Sequence, residues 1–191
     1  MNAPILETTR LRLRGHRLED FQQCAALWAD PLVTRYIGGR PLSREDSWTR
    51  LLRYVGHWSL LGFGYWVAEE KATGAFVGEV GFADYKRELQ PRLDDIPEAG
   101  WVFASAAHGK GYATEAVQMI VAWAEGNLTS SRTACLIHPD NAPSLRVAEK
   151  CGYRENLRTS YKDEPTILLI RPSVKPADIQ KAQHSQNYFQ H

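Results

Sequence analysis

The segment His108–Ala116, with the sequence HGKGYATEA, limits the possible fold of this chain more than any other. A short apolar run, Glu98–Ala104, precedes the segment and has the length of a strand. Apolar residues at helical spacing begin directly behind it, at Val117. Gly109 and Gly111 allow positive φ angles and therefore a tight reversal between the two elements. The segment predicts a strand, a glycine turn and a helix in immediate succession.

Apolar periodicity places the other elements around this turn. Further strands are predicted at Ile5–Arg14, Tyr65–Glu70, Ala75–Tyr85, Arg132–Pro139 and Thr166–Ile170, and one more around Tyr153–Tyr161 is left open. Further helices are predicted from apolar stripes at Phe21, Cys24, Ala25 and Trp28 and at Trp48, Leu51, Leu52 and Val55, and from the run Asn141–Gly152. Pro31 is expected to end the first of these helices. The order indicates a mixed α/β fold, with a parallel crossover between Glu98 and Gly152.

The length and composition of the chain indicate one globular domain. We assign residues 1–171 to that domain and residues 172–191 to a polar C-terminal tail. The 23 basic and 22 acidic residues nearly cancel, so no net field favours nucleic acid or an anionic membrane as a partner. The start of the chain has no signal-peptide pattern and no segment approaches a membrane span of about 20 apolar residues, which predicts a cytoplasmic protein. The 3 cysteines form no CxxC pair and indicate neither a disulfide framework nor a zinc site.

The glycine turn is a candidate anion site. The first amides of a helix lack intrahelical partners, and the helix dipole adds positive potential at that end. Glycines would let the amides from Gly109 to Thr114 approach a diphosphate, and Lys110 adds charge. The alternative is that the glycines only make a tight turn. Two other phosphate motifs are excluded, because Ser105 stands where a P-loop needs glycine and Thr114 where the dinucleotide motif needs one.

Two further segments show that the sequence around this turn resembles a known protein family. HGKGYATEA followed by IHPDNAPSLRVAEKCGY resembles the acetyl-CoA signature of the GNAT superfamily of N-acetyltransferases. The opening LETTRLRLR together with HPDNAPSLRVAEKCGY resembles the RimJ/RimL-like branch, and the similarity runs from Leu6 to about Ile170. It implies the GNAT fold, a central mixed sheet flanked by helices, with acetyl-CoA as cosubstrate and no metal. The implied acceptor is an amine, either a protein N-terminal α-amine or a small molecule. Relatives are commonly dimers, and the oligomeric state is left open.

The resemblance also implies how acetyl-CoA is held. His108 takes the place of a family Gln or Arg, which is a departure that Lys110 could compensate. The pantetheine arm is expected between two diverging strands, Glu98–Ala104 and Arg132–Pro139. Asn141 stands where the family has an asparagine near that arm, and it would serve equally as a helix N-cap. The implied cofactor-binding residues are Trp101, Val102, Phe103, Ala104, His108, Gly109, Lys110, Gly111, Tyr112, Ala113, Thr114 and Asn141.

Three residues are candidates for proton transfer. Glu79 interrupts an apolar strand and Glu98 begins the next one, and apolar surroundings are expected to raise the pKa of such a carboxyl toward that of a general base. Either could instead be an ordinary solvated strand residue. Many GNAT enzymes have a tyrosine where Ala148 stands, so the resemblance to RimJ/RimL-like sequences implies Ser144 as the partner of the leaving thiolate. The alternative for Ser144 is a hydroxyl bonded to the helix backbone.

The acceptor pocket is implied between the two N-terminal helices, the hairpin around Asp84 and the loop Lys86–Pro97. Trp28, Tyr36, Trp48 and Trp58 would line it or belong to the core, and Asp84, Asp94 and Asp95 would attract an ammonium group or merely be solvated. A second hypothesis is a domain that binds acyl-CoA without catalysis, as a sensor or partner module.

Overall fold

The computed structural model describes residues 2–172 and arranges them around one eight-stranded mixed sheet flanked by helices, which confirms the predicted fold class. The strands are β1 (Leu6–Glu7), β2 (Leu11–Arg14), β3 (Tyr65–Glu70), β4 (Phe76–Ala83), β5 (Glu98–Phe103), β6 (Arg132–Ile137), β7 (Arg154–Tyr161) and β8 (Glu164–Pro172). The helices are α1 (Phe21–Ala29), α2 (Pro31–Thr34), α3 (Arg44–Leu61), α4 (Tyr112–Asn127) and α5 (Ala142–Lys150). The order across the sheet is β1-β2-β3-β4-β5-β6-β8-β7. The proposed tail falls almost wholly outside the described residues.

Two local predictions need correction near the N-terminus. The expected strand Ile5–Arg14 is a hairpin, because the chain turns at Thr8 and its hydroxyl accepts the Leu11 amide at 2.8 Å. Pro31 does not only end a helix; it begins α2, whose Leu32 amide is capped by the Asp30 carboxylate at 2.8 Å. Proline is well suited to a first helical turn, where the backbone N–H has no partner in any case.

Helix α3 buries a different stripe from the one predicted. Ser43 caps it, and its hydroxyl accepts the Asp46 amide at 3.0 Å. Leu52 and Val55 are 50% and 44% exposed, whereas the buried face carries Ser47, Leu51, Tyr54, His57 and Trp58. The stripe is rotated because the tyrosine and the tryptophan, not the shorter aliphatic residues, fill the space above β3.

Strands β5 and β6 separate almost as soon as they meet. They are parallel and pair at one position, Glu98 with Ala134, where the Ala134 amide donates to the Pro97 carbonyl at 3.0 Å. By contrast, β5 pairs along its whole length with β4, and β6 pairs along its whole length with β8. The sheet therefore opens between β5 and β6, beside the start of α4. Helix α4 closes one face of the sheet with the buried side chains Ala116, Val117, Ile120, Val121 and Ala124, and the last four form the stripe that helical spacing predicts behind the turn.

Candidate functional site

The turn before α4 presents a row of unpaired amides. Gly109 and Gly111 have φ angles of 76° and 79°, in the region that glycine adopts without strain. The first amide to bond back is that of Glu115, which donates to the Gly111 carbonyl at 3.1 Å. Within residues 2–172, the six amides from Gly109 to Thr114 donate to no carbonyl or side chain. Six free N–H groups at the positive end of a 16-residue helix form a site for an anion of diphosphate size.

Arg10, which the sequence analysis did not single out, fixes this turn to the sheet. Its Nη1 donates to the Lys110 carbonyl at 2.9 Å, and its Nε donates to the Glu115 carboxylate at 2.7 Å. Burial would raise the pKa of Glu115, but hydrogen bonds from Thr8 and Arg10 outweigh it and lower that pKa. The only sequence signal was the arginine-rich strand, in which one arginine could not be told from the others. Arg10 thus adds a second positive charge beside Lys110.

Two residues of the turn are used differently from the implied pattern. The His108 Nε2 lies 2.9 Å from the Phe103 carbonyl and must donate to it, because a carbonyl only accepts. The imidazole therefore folds back on β5 and does not replace the family's arginine or glutamine. Tyr112 is buried and its hydroxyl donates to the Glu70 carboxylate, so its side chain holds the turn in place. Lys110 is exposed.

The open edge of β5 offers fewer backbone groups than the sequence suggested. The Ala104 amide already donates to the Val77 carbonyl of β4 at 2.9 Å, which corrects its expected role toward a cofactor. Because backbone groups alternate along a strand, those of Val102 also face β4. The groups of Trp101 and Phe103 face the gap, although the Phe103 carbonyl accepts His108. Trp101 is left with both its amide and its carbonyl toward the open side.

Helix α5 starts on the other side of the gap. The Asn141 side chain accepts the Ser144 amide at 3.2 Å, so Asn141 is the N-cap that the sequence analysis offered as one of two readings. The Ser144 hydroxyl itself makes no hydrogen bond within the described chain, so it does not satisfy the helix backbone. Ala148 is fully buried.

Glu79 is buried at the centre of β4, and both of its carboxylate oxygens are hydrogen-bonded. It is 1% exposed, and its two oxygens lie 2.9 Å from His16 Nε2 and 2.7 Å from Trp28 Nε1. Burial would raise the pKa of the Glu79 carboxyl, but the hydrogen bonds from His16, Trp28 and Cys24 outweigh it and lower the pKa. The expected raised pKa is therefore wrong, because apolar strand neighbours hid three polar side chains contributed by other elements.

His16 is the functional candidate that sequence reasoning missed. Its side chain is 0% exposed, and its Nδ1 is buried without a hydrogen-bond partner in residues 2–172. Nothing in the local pattern around LRLRGH marks it. Donor atoms of His16, Cys24 and Glu79 lie within 4.8 Å of one another, a set that includes zinc-binding residue types. Because Glu79 already accepts two N–H groups, we describe the cluster as a hydrogen-bond network.

Glu98 is paired, not isolated. Arg87 donates to both of its oxygens, through Nε at 2.6 Å and Nη2 at 2.8 Å, and both side chains are mostly buried. The sequence offered Glu98 as a base in apolar surroundings or as a solvated strand residue, and neither alternative included this partner. The pair instead ties the loop Lys86–Pro97 to the start of β5.

The aromatic residues expected around the acceptor are mostly structural. Trp28 and Trp58 are 2% and 4% exposed and belong to the core, and Trp48 packs edge-on against Phe21. Tyr36 stacks on His138 at 5.5 Å, just beyond the end of β6. A small pocket lies between the end of β4, the loop Lys86–Pro97 and the start of β5, lined by Ala83, Asp84, Tyr85, Arg87, Asp94 and Glu98. Asp84 forms an ion pair with Lys86 at 2.7 Å.

Comparison with known proteins agrees with this arrangement. The family model described as "Acetyltransferase (GNAT) domain" matches residues 10–154. The uncharacterized protein YkkB of Bacillus subtilis (strain 168) is 34% identical over 181 residues, covering 91% of this chain and 99% of YkkB. A structure from Bordetella pertussis assigned to the GnaT acetyltransferase family has 32% identity and a TM-score of 0.78, covering 88% of this chain and 99% of that one.

A more distant structure shares the fold alone. RimL, a ribosomal L7/L12 alpha-N-protein acetyltransferase solved in complex with coenzyme A, has a TM-score of 0.69 at 13% identity, over 88% of this chain and 98% of RimL. At that identity the likeness does not select a branch within the family. None of the helices in residues 2–172 combines the length and apolar composition that a bilayer crossing needs.

Proposed function

The chain belongs to the GNAT family of acetyl-CoA-dependent acetyltransferases, and from this premise we propose that it transfers the acetyl group of acetyl-CoA to a primary amine by direct attack in a ternary complex. The observation that carries the proposal is the row of six amides, Gly109–Thr114, that bond no residue from 2 to 172 and lie beside the open edge of β5. An anion site and an adjoining slot fit the two ends of coenzyme A, its diphosphate and its pantetheine arm. The acceptor is a protein N-terminal α-amine or a small-molecule amine.

In this proposal the diphosphate lies on the amides from Gly109 to Thr114. Arg10 and Lys110 add positive charge there, which favours a dianion at a helix start. The pantetheine arm runs along β5, where the amide and the carbonyl of Trp101 face the gap between β5 and β6, beyond the one position at which these strands pair. Asn141, as the cap of α5, borders the same gap.

We assign proton removal from the amine to His16, with Glu79 as the positioning residue. Alkyl amines are mostly protonated near neutral pH, so a base is needed to supply the free amine. Glu79 lies 2.9 Å from His16 Nε2, and it fixes the tautomer that leaves the Nδ1 lone pair free. Because the His16 ring is covered, the proton reaches Nδ1 through a bridging water.

Ser144 is the proposed donor to the departing thiolate. The amine nitrogen forms a bond to the thioester carbonyl carbon and gives up its proton toward His16, and the C–S bond breaks. The thiolate takes the proton of the Ser144 hydroxyl, which recovers a proton from solvent in the same step, so that no alkoxide remains. That hydroxyl is unbonded within the described residues and lies in the first turn of α5. Glu98 has no part in these steps, since Arg87 occupies both of its oxygens.

Membership of the RimJ/RimL-like branch and a cytoplasmic location remain parts of the proposal. They are supported by the LETTRLRLR opening, whose Arg10 reaches the glycine turn, and by the lack of a membrane-spanning helix among residues 2–172.

The competing function, acyl-CoA binding without turnover, has two observations in its favour. His108 folds away from the turn and Ala148 replaces a family tyrosine, so two positions expected to serve catalysis or binding are altered.

Release of CoA thiol separates the two functions. The purified chain is supplied with acetyl-CoA and a panel of small amines and N-terminal peptides, and products are identified by mass spectrometry. We expect acetylated amine and CoA in equal amounts, and no release without acceptor. Binding of acetyl-CoA with no product from any acceptor would support the binding module instead.

A further inference from the structure

We propose that the acceptor amine carries a carboxylate and that Arg50 binds this carboxylate during the reaction. The inference rests on the proposed acetyl transfer and specifies its substrate class. It follows from the positive charge of Arg50, which lies beside the Glu79 network and pairs with no carboxylate in the described part of the chain.

Arg50 is held from two sides. It projects from α3, and its guanidinium carbon lies 3.8 Å from the centre of the Trp28 ring. Trp28 donates its indole N–H to Glu79 at 2.7 Å. Arg50 Nη1 donates to the Tyr54 hydroxyl at 3.2 Å, and the Tyr54 ring packs 5.3 Å from the His16 ring. Arg50 therefore belongs to the same cluster as the residues assigned to proton removal.

The charge of Arg50 is poorly satisfied. Its Nε is buried and has no hydrogen-bond partner, and no bond to Nη2 is formed by any residue from 2 to 172. An unpaired buried N–H, and more so a buried charge, is costly. The residue keeps partial exposure, which leaves a route for a ligand. Nε and Nη2 form one edge of the guanidinium, an edge to which a carboxylate can bind through both oxygens.

The other largely buried arginines of the described chain do have carboxylate partners. Arg14 binds Asp20 at 2.7 Å and Glu69 at 2.6 Å. Arg87 binds Glu98 at 2.6 Å, and Arg171 binds Glu125 at 2.6 Å. Arg50 departs from this pattern, so its missing partner is not explained by a general tolerance for buried charge in this protein.

The neighbouring phenols cannot act as the missing anion. Burial raises the pKa of Tyr54 and of Tyr65 well above the usual value, so both hydroxyls stay neutral at physiological pH. Glu79 accepts the indole N–H of Trp28 and makes no ion pair with Arg50. Arg50 is thus left without a carboxylate partner among residues 2–172, which favours an acceptor that supplies one.

Two classes of acceptor share this chemistry, and the experiment separates them. One arm compares free amino acids with the amines they would give on decarboxylation, alanine with ethylamine and phenylalanine with phenylethylamine. The other compares N-terminal peptides of the type Ala-Asp with Ala-Asn, both with a C-terminal amide. CoA release is measured for each member at saturating acetyl-CoA. We expect kcat/KM to favour the carboxylate member of a pair by about 10- to 100-fold, the effect of one charge-assisted interaction.

Variants assign the preference to Arg50. In Arg50→Gln, KM for the carboxylate member of a pair should rise about 10- to 100-fold. KM for the amine without a carboxylate and KM for acetyl-CoA should stay unchanged. Arg50→Lys, which keeps the charge but loses the two-point edge, should retain part of the preference. Arg44→Gln is the matched control, because Arg44 is an exposed cation on the same helix.

The possible results test the role of Arg50, the substrate class and the proposed acetyl transfer separately. The role of Arg50 would be overturned if the wild-type protein shows equal kcat/KM for the two acceptors of every pair. It would also be overturned if Arg50→Gln loses the same factor in kcat/KM for both acceptors. If amines are acetylated without that preference, only the substrate class is wrong. If no acceptor in either arm is acetylated, the proposed acetyl transfer itself fails. The wild-type comparison does not depend on whether Arg50→Gln folds.

Discussion

His16 Nε2 lies 2.9 Å from Glu79 Oε1, and the two side chains are 0% and 1% exposed. A carboxylate placed so deep would normally be protonated, yet the pKa of Glu79 is lowered, since donors from His16, Trp28 and Cys24 outweigh its burial. The pair therefore holds a negative charge against an imidazole whose second nitrogen has no hydrogen-bond partner among the residues that the structure describes. This relationship links the fold to the proposed chemistry.

Replacing Glu79 tests the pair. Glu79→Gln removes the charge while keeping the size, and we expect kcat to fall about 100-fold or more, as for loss of general base catalysis. KM for acetyl-CoA should be unchanged, because Glu79 does not contact the glycine turn. The acid limb of the kcat–pH profile should move to lower pH, because the base loses its neighbouring negative charge, whereas a purely structural role would leave that limb in place. The exposed Glu149→Gln serves as control, and an unchanged pH profile in Glu79→Gln would remove the pair from the mechanism.

Ser144→Ala tests the thiolate partner. The Ser144 hydroxyl makes no bond within residues 2–172, so its loss should leave the melting temperature within about 1 °C of wild type. We expect kcat to fall about 10- to 100-fold with KM for the amine unchanged. The matched control is Ser59→Ala, an exposed serine of α3. Full activity in Ser144→Ala would show that the thiolate leaves without this hydroxyl.

Glu98→Gln separates structure from catalysis at the second carboxylate. Breaking the pair with Arg87 should lower the free energy of unfolding by about 3 kcal/mol, because a largely buried guanidinium loses its partner. Below the unfolding transition, kcat should stay within about threefold of wild type. Urea unfolding and steady-state rates at one temperature give both numbers. A loss of turnover as large as that of Glu79→Gln would return Glu98 to the list of bases.

The pair of Arg14 and Asp20 predicts how stability depends on pH. Burial would raise the pKa of Asp20, but hydrogen bonds from Arg14 and the Arg17 amide outweigh it, and the folded pKa is lowered. The stabilisation is therefore present above the unfolded pKa of about 3.9 and is lost as pH falls through the folded value. Asp20→Asn should reduce stability at pH 7 and flatten the fall in urea midpoint between pH 5 and 3. An equally steep acid limb in Asp20→Asn would contradict this.

The sequence was informative where structure depends on neighbours along the chain. The glycine turn, the stripe of α4 and the cap of α5 all follow from residues within a few positions of one another, and each was predicted. The contacts that define the site are not of this kind. His16 meets Glu79 across 63 positions and Arg10 meets Glu115 across 105, so no local pattern reports them.

The wrong pKa of Glu79 has the same origin. The apolar residues next to Glu79 in the sequence are its neighbours along β4. The environment of its carboxylate is set instead by side chains from α1 and from the loop after β2. The shifted stripe of α3 is a milder case, since period alone does not decide whether Leu52 or Tyr54 faces the sheet.

Calorimetric titration with acetyl-CoA tests the central claim, that the amides from Gly109 to Thr114 bind the diphosphate. The matched variant is Ala113→Pro, which removes one of these amides in a first helical turn, where α5 already carries Pro143. Its control is Glu45→Pro, at the second residue of α3. We predict saturable heat for the wild type and for Glu45→Pro, and a Kd about 10-fold weaker in Ala113→Pro with the fold intact. No heat from the wild type, or an unchanged Kd in Ala113→Pro, would contradict the account.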